Sequence, residues 1–398
     1  MPDAIRLVIA LTANKCASVL FSAKTLLPGL ILGVGLPSWL VGWVVPIRES
    51  IALLPQVALS VYLRQHGQRY KVWRFGMALQ ISGSVLLVLL CWHYASYSLQ
   101  GQTWWYALGF MLLLAFYSLG RACCSLTVKD IEADIVEKGE RGGLIGNATM
   151  FSGIVTLLVA VPIATFSLFQ SHNAMLVLAL ISALMLGVTL LIMWPIKTEV
   201  DVAATSEHKT TQWYELLPKL SSAARRFIIV RSIFVHSALV APFFVLAQSS
   251  QDNRLPLYYL VAEALAALLS AKLWGRLSDR SARATLRVSG IFAVLACGGL
   301  LWLQPQQLWL SVGLFFILSV AHTGVRNGRK TYTLDIEEGQ SRTELVGSAN
   351  TFIGVVLFVV GAVYAALQPW LGDAIIAIMA AMLVLGVAMT YTLEAEKD

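Results

Sequence analysis

The chain has 398 residues, of which 58% are hydrophobic and only 13% charged, with a mean hydropathy of +0.73. Soluble domains carry about 25% charged residues, so a water-soluble enzyme, a disulfide scaffold and a disordered chain are excluded, and a polytopic helical membrane protein remains. The formal charge of +7, from 29 Lys and Arg against 22 Asp and Glu, raises the question of a nucleic-acid partner, which the placement of those charges answers.

Hydropathy predicts twelve spans, near 5–30, 37–62, 72–94, 104–125, 144–167, 174–195, 226–248, 255–275, 285–303, 308–328, 345–367 and 373–392. The first carries Asn14, Lys15 and Cys16 and runs far longer than the apolar region of a cleavable signal, so it is expected to stay in the membrane. Gly29, Gly33, Gly35 and Pro37 then mark a bend and a candidate hinge before span two, which holds Arg48 and Glu49. Arg121 lies in span four, His236 in span seven and Glu263 in span eight. A polar stretch, 196–225, divides the chain into two six-span halves, 1–195 and 226–398.

Basic residues fall on alternate loops: Arg64, Arg69, Lys71 and Arg74; Lys129, Lys138 and Arg141; Lys197, Lys209, Lys219, Arg225 and Arg226; Arg276, Arg280 and Arg283; Lys330 and Arg342. The opposite loops contain only Arg254, with Lys24 near that side. Positive charge marks the cytoplasmic face, so both termini are expected inside, and the net charge records orientation rather than binding of DNA or RNA. The cysteines Cys16, Cys91, Cys123, Cys124 and Cys297 all sit in apolar stretches without a CxxC pair, which reads as free buried thiols. The six histidines show no metal-ligand spacing, and no GxxxxGK[ST] loop is present, so neither a metal, a cofactor nor ATP-driven pumping is implied.

The chain contains an internal repeat. With an offset of 201, KDIEADIVEKGERGGLIGNATMFSGIV (129–155) lies on KTYTLDIEEGQSRTELVGSANTFIGVV (330–356) without a gap, and eleven of 27 positions are identical. A weaker match starting at Glu49 pairs with one starting at Glu263, offset 214, and both map the same numbered spans of one half onto the other.

Two parallel repeats of six spans resemble the layout of the major facilitator superfamily of secondary transporters. GRLSDRSAR (275–283) resembles that family's loop signature G-x-L-[AS]-D-[RK]-x-G-R, matching at Gly275, Leu277, Asp279, Arg280 and Arg283, with Ala282 where a glycine is usual. Its first-half counterpart, YLRQHGQRY (62–70), keeps Arg69 but lacks the leading glycine and the aspartate. Arg121, followed by Ser125 rather than glycine, partly matches the pattern of proton-driven drug exporters in the family, while span five has Gly146, Gly153 and Pro162 but no Gly-Pro. The resemblance implies an all-α fold, alternating access about a central site, and a small-molecule substrate. It further implies a monomer in the lipid bilayer, in a bacterial cytoplasmic membrane.

Glu49 and Glu263 are the two acids well inside predicted spans, where an ionisable group costs roughly 2.5–3.5 kcal/mol. They occupy equivalent repeat positions. As coupling sites, they would bind and release protons while their surroundings alternate between wet and dry; as structural groups, they would pair with Arg48 or Lys15. Arg48 and Glu49 lie about 100° apart on a helix and are not expected to neutralise each other face to face. Lys15 and Arg48, as a deep cationic pair, would suit an anionic or zwitterionic substrate. Arg121 and His322, equivalent by the 201 offset, are candidates for the cavity floor or a gate, whereas His236 beside Ser237 reads first as a hydrogen-bonded core residue. Trp39, Trp43, Phe243, Phe244, Tyr258 and Tyr259 at the outer ends of spans two, seven and eight are expected to anchor at the interface, with substrate stacking as the alternative.

In the cytoplasmic loops, Lys129, Asp134, Glu137 and Arg141 recur as Lys330, Asp335, Glu338 and Arg342. The family resemblance implies a latch there that clamps the halves when the cavity faces out, joined by Arg276, Asp279 and Arg280. Export of small organic compounds, proton-coupled uptake, and a transport-inactive receptor or assembly factor share this architecture. A membrane enzyme would need a convergent nucleophile and base, and none stands out.

Overall fold

The computed structural model describes residues 3–66, 68–97, 102–136, 141–166, 171–196, 221–248, 252–304, 307–336 and 339–394, without the side chains at 61, 64–65, 133, 141–143, 145 and 334–348. Among these residues the protein is helical, with no strand. In chain order the helices are α1 (Asp3–Leu20), α2 (Leu26–Val34), α3 (Trp39–Ile51), α4 (Gln56–His66), α5 (Arg69–Tyr97), α6 (Thr103–Ile135), α7 (Arg141–Thr165) and α8 (Ser171–Met193). They continue as α9 (Ser222–Ile233), α10 (His236–Leu239), α11 (Ala241–Ala247), α12 (Leu255–Arg280), α13 (Ala282–Leu303), α14 (Leu308–Ile336), α15 (Gly339–Leu371) and α16 (Ala374–Met389). Eleven described segments are long and apolar enough to cross a membrane. The remaining apolar stretch, 3–34, is divided between α1 and α2. Most of the expected 196–225 linker lies outside the described residues; α9 begins within its last residues, at Ser222, with Ser221 accepting from the Ala224 N–H at 3.1 Å.

Three spans expected as continuous helices are broken, and proline chemistry accounts for much of this. Pro28 cannot donate to the carbonyl of residue 24, and the chain turns at 21–25 between α1 and α2. Pro55 likewise withholds a bond from residue 51, and helix α3 stops there before α4 resumes. Pro242 sits at the start of α11, beyond the break at Val240. Where the seventh span first opens, at 234–235, side chains replace the missing helical bonds: His236 Nδ1 meets the Ile233 carbonyl at 2.6 Å and Ser237 Oγ donates to that of Phe234 at 2.9 Å.

Packing follows the repeat. Helix α5 lies against α6 as α13 lies against α14, and α3 against α6 as α12 against α14. The contacts joining the two parts of the chain are also exchanged by the repeat: α3 packs on α15, and α12 on α7. Helices α6 and α14 end at Ile135 and Ile336, 201 residues apart, the offset of the sequence match.

At the end opposite the basic loops these contacts are close. A Cβ on Gly29 would come 2.3 Å from Pro256, and one on Gly361 2.3 Å from Pro46. Gly42 faces Ala365, where a Cβ would come within 3.0 Å. Helix α2 ends at Gly35, whose φ of 85° is a left-handed cap. The six aromatics expected as interfacial anchors belong to this packed end instead. Phe243, Phe244 and Tyr259 are buried, Tyr259 stacks on Phe315 at 4.1 Å, and Trp39, Trp43 and Tyr258 are half-buried against the core. They sit where helices converge rather than where helices face lipid. The outward indoles at this end are Trp104, Trp105, Trp302, Trp309 and Trp370, which are 65% to 88% exposed. All five cysteines are buried and free.

Candidate functional site

A cavity of about 300 Å³ lies where the helix breaks and the repeat-related acids meet. It is lined from α1, α3, α6, α9, α12, α14 and α15 and from the turn after α1, so both halves of the sequence contribute. Ser22, Lys24 and Thr25 come from the α1–α2 break, and they surround Glu263 on α12. Lys24 Nζ lies 3.0 Å from one carboxylate oxygen; Ser22 and Thr25 hydroxyls donate to the other at 2.7 and 3.2 Å. Had 3–34 been one continuous helix, these three side chains would point around its circumference and could not close on one carboxylate.

Glu49 is held differently. Arg121 of α6 donates to it at 3.1 Å, and Arg48, its neighbour in sequence, donates to the same oxygen. The expectation from the helical wheel therefore fails: the arginine side chain is long enough to turn back across the 100° between neighbours. Arg48 is 4% exposed, also donates to the Ser18 carbonyl at 3.2 Å, and places its guanidinium 5.9 Å from the Tyr117 ring. Lys15 does not join Arg48 in a deep pair; it donates to Thr149 of α7 and lines an adjacent cavity of about 190 Å³. Ser18 and Arg121 border both spaces.

On the far wall, His322 of α14 lines the cavity and bonds Ser237 at 3.2 Å. His236 is 2% exposed and tied to the Tyr364 hydroxyl at 3.0 Å, within the core. Arg231, Arg326 and Arg329 also face the cavity, although sequence reading did not single them out. The available clue was spacing: residues 322, 326 and 329 fall at i, i+4 and i+7, one face of a helix. Lys24 lies within the first expected span, 5–30, and was read only as a charge near the outer side, because a break inside that stretch was not anticipated.

Toward the basic end, a neutral bridge joins the two parts of the chain. Gln56 on α4 donates to Ser125 at 3.3 Å and accepts from Asn350 of α15 at 3.1 Å, while Asn350 accepts from Arg231 at 2.6 Å. Of the expected latch, Arg276, Asp279 and Arg280 are exposed at the end of α12, where no ion pair engages them among the described residues. Lys129, Asp134 and Lys330 are exposed, with Lys129 in electrostatic range of Lys330. The side chains of Arg141, Asp335 and Arg342 lie outside the described residues. The ion pairs seen at this end among the described residues, Asp3–Arg6 at 3.6 Å, Arg69–Asp130 at 3.2 Å and Arg226–Glu394 at 3.9 Å, each stay within one half of the sequence.

A helical membrane protein with a charged cavity lined from two repeated halves has the construction of a solute transporter rather than an enzyme. The Major Facilitator Superfamily model matches residues 16–365, and the chain belongs to that family of membrane transporters. The fold is similar to a crystal structure of a D-xylose-proton symporter, with 14% identity, a TM-score of 0.73, and coverage of 99% of this chain and 98% of that one. It is also similar to the inward open conformation of the xylose transporter XylE from E. coli, with 12% identity, a TM-score of 0.69 and coverage of 99% and 96%. The nucleoside transporter NupG gives 12% identity, a TM-score of 0.70 and coverage of 98% and 99%. No curated protein sequence matches significantly.

Proposed function

We propose that the protein is a proton-coupled secondary transporter that moves a small organic solute by alternating access. Its parts are two six-span halves, 1–195 and 226–398, with α1 and α2 together forming the twelfth crossing. The observation that carries this reading is the meeting of Glu49 and Glu263, equivalent in the repeat, at one cavity. Glu263 is the better proton site of the two. Lys24 holds one of its oxygens, but Ser22 and Thr25 on the other are hydroxyls, which can turn to donate to a carboxylate or accept from a carboxylic acid. Glu49 faces guanidiniums, which only donate, so a proton placed there would find no acceptor. A fold relative described as a D-xylose-proton symporter is compatible with proton coupling.

The alternate-loop charge pattern supports a cytoplasmic basic end and cytoplasmic termini, in a bacterial inner membrane, with the monomer as the working unit. In that orientation the packed outer end corresponds to an inward-facing conformer whose basic end is still bridged between Gln56 and Asn350. Arg121 favours export of organic compounds through the family pattern. The cationic lining favours a second reading, uptake of an anionic or zwitterionic metabolite together with protons.

The test is solute flux in proteoliposomes under pH gradients of either sign. Glu263→Gln should abolish gradient-driven accumulation while leaving solute exchange at equal pH. Accumulation in Glu263→Gln equal to the unaltered protein would sink the proton assignment, and the gradient sign that drives uptake separates the two directions.

A further inference from the structure

The charges around the cavity do not balance. Among the described residues, Lys24, Arg48, Arg121, Arg231, Arg326 and Arg329 face only Glu49 and Glu263, an excess of four positive charges. Glu263 is taken by Lys24, and Glu49 is shared by Arg48 and Arg121. Arg231, Arg326 and Arg329 have no ion pair among the described residues. Arg231 makes one bond to the neutral Asn350, and its buried Nε has no acceptor. Arg329 stands within electrostatic range of both Arg231 and Arg326, and more weakly of Glu49, which Arg48 and Arg121 already hold. Like charges gathered in a partly dehydrated space repel strongly and lose hydration, a cost that is offset only when counter-charge arrives.

We propose that these three guanidiniums form the recognition site for a multivalent organic anion, a solute bearing at least two negative charges on phosphate or carboxylate groups. Three arginines from α9 and α14 offer the planar donor pairs that match either oxyanion. A single negative charge would leave most of the excess uncompensated. The solute is organic because Phe234, Val235, Ile353 and Leu357 supply an apolar wall beside the arginines. A space of about 300 Å³ suits a metabolite rather than a macromolecule. This inference deepens the transporter reading and rests on the cavity being the solute site.

The experiment is thermal unfolding of the full chain, purified in detergent, at fixed ionic strength. The probes are succinate, citrate, glycerol 3-phosphate and inorganic phosphate, compared with acetate, xylose and choline. Multivalent anions should raise the unfolding midpoint in a concentration-dependent way, and acetate, xylose and choline should not. Arg326→Gln and Arg329→Gln should each weaken the apparent affinity roughly tenfold or more, with Arg326→Lys and Arg329→Lys retaining most of it. Glycerol 3-phosphate above succinate and citrate assigns a phosphoryl group; the reverse order assigns carboxylates. Stabilisation by inorganic phosphate alone would mean an adventitious ion only and overturns the proposal. So does a midpoint that responds to no anion, responds equally to xylose or choline, or responds undiminished in both glutamine variants. Arg326 is exposed to the cavity, so its variant should fold, as its ligand-free midpoint will report. Anion binding by a protein that moves no solute in proteoliposomes would sustain this inference and end the transporter reading. Proton-driven flux of neutral or cationic solutes without anion binding would do the opposite.

Discussion

Glu49 and Glu263 occupy equivalent positions yet have different surroundings, so their variants should fail differently. Replacing Glu49 with glutamine leaves Arg48, 4% exposed, and Arg121 facing a neutral amide. Losing one partner of a fully buried pair costs about 3–5 kcal/mol; Glu49 borders a cavity, and on the order of 2 kcal/mol is expected. Thermal or denaturant unfolding of Glu49→Gln, Arg121→Gln and the double variant should give a coupling energy clearly above zero, and additive effects would show that the contact is not energetic. Glu263→Gln should lower stability less, because it deprives one cation, Lys24, of its partner rather than two, and Ser22 and Thr25 can bond an amide as well as a carboxylate. At this scale the sequence was partly legible. Two acids in apolar runs stand out by cost alone, but their partners do not. Lys24 was read only as a charge near the outer side and Arg231 was passed over, since the number of charges a cavity holds depends on where helices break and turn.

At the scale of elements, the break between α1 and α2 determines the site. Pro28→Ala restores an N–H for the carbonyl of residue 24 and should extend α2 backward by about a turn, drawing Ser22 and Thr25 off Glu263. Transport should fall by about tenfold or more, with helix content by circular dichroism preserved or raised by no more than about a turn; a Pro28→Ala protein with full transport would show that the turn at 21–25 forms without the proline. Hydropathy identified each apolar stretch and its polar connections well, since lipid demands long runs of apolar residues. It could not show that three stretches are jointed, because a proline is compatible with both a kinked and an interrupted helix. The aromatic residues were misplaced for a related reason: an indole or phenol near a span's end packs inward wherever neighbouring helices converge.

For the whole molecule, the repeat in sequence reappears as paired packing, with α3 on α15 and α12 on α7. The packed end depends on residues without side chains at the points of closest approach. Gly361→Val would place methyl groups where Pro46 already stands, 2.3 Å from the first added carbon. The substitution should shift the population toward separation of this end. Spin labels near Trp39 and Trp370 should then show longer distances than in the unaltered protein, and an unchanged distribution would count against a seal of this kind. The Gln56–Asn350 bridge works at the other end, and Gln56→Ala should bias the molecule away from closure there by the same measurement.

The contacts of the packed end, Gly29 with Pro256, Gly42 with Ala365 and Gly361 with Pro46, are carbon against carbon. Wetting such surfaces is accompanied by a positive heat-capacity change, whereas separating charges is not expected to leave the same mark. If opening this end limits turnover, the Eyring plot of transport should therefore curve upward, its slope steepening as temperature rises, rather than follow a straight line. Substituting Gly42 with serine, which brings a polar group to the same surface, should flatten that curvature. A seal built from small apolar residues thus gives the transporter a thermal signature that can be read without knowing its substrate.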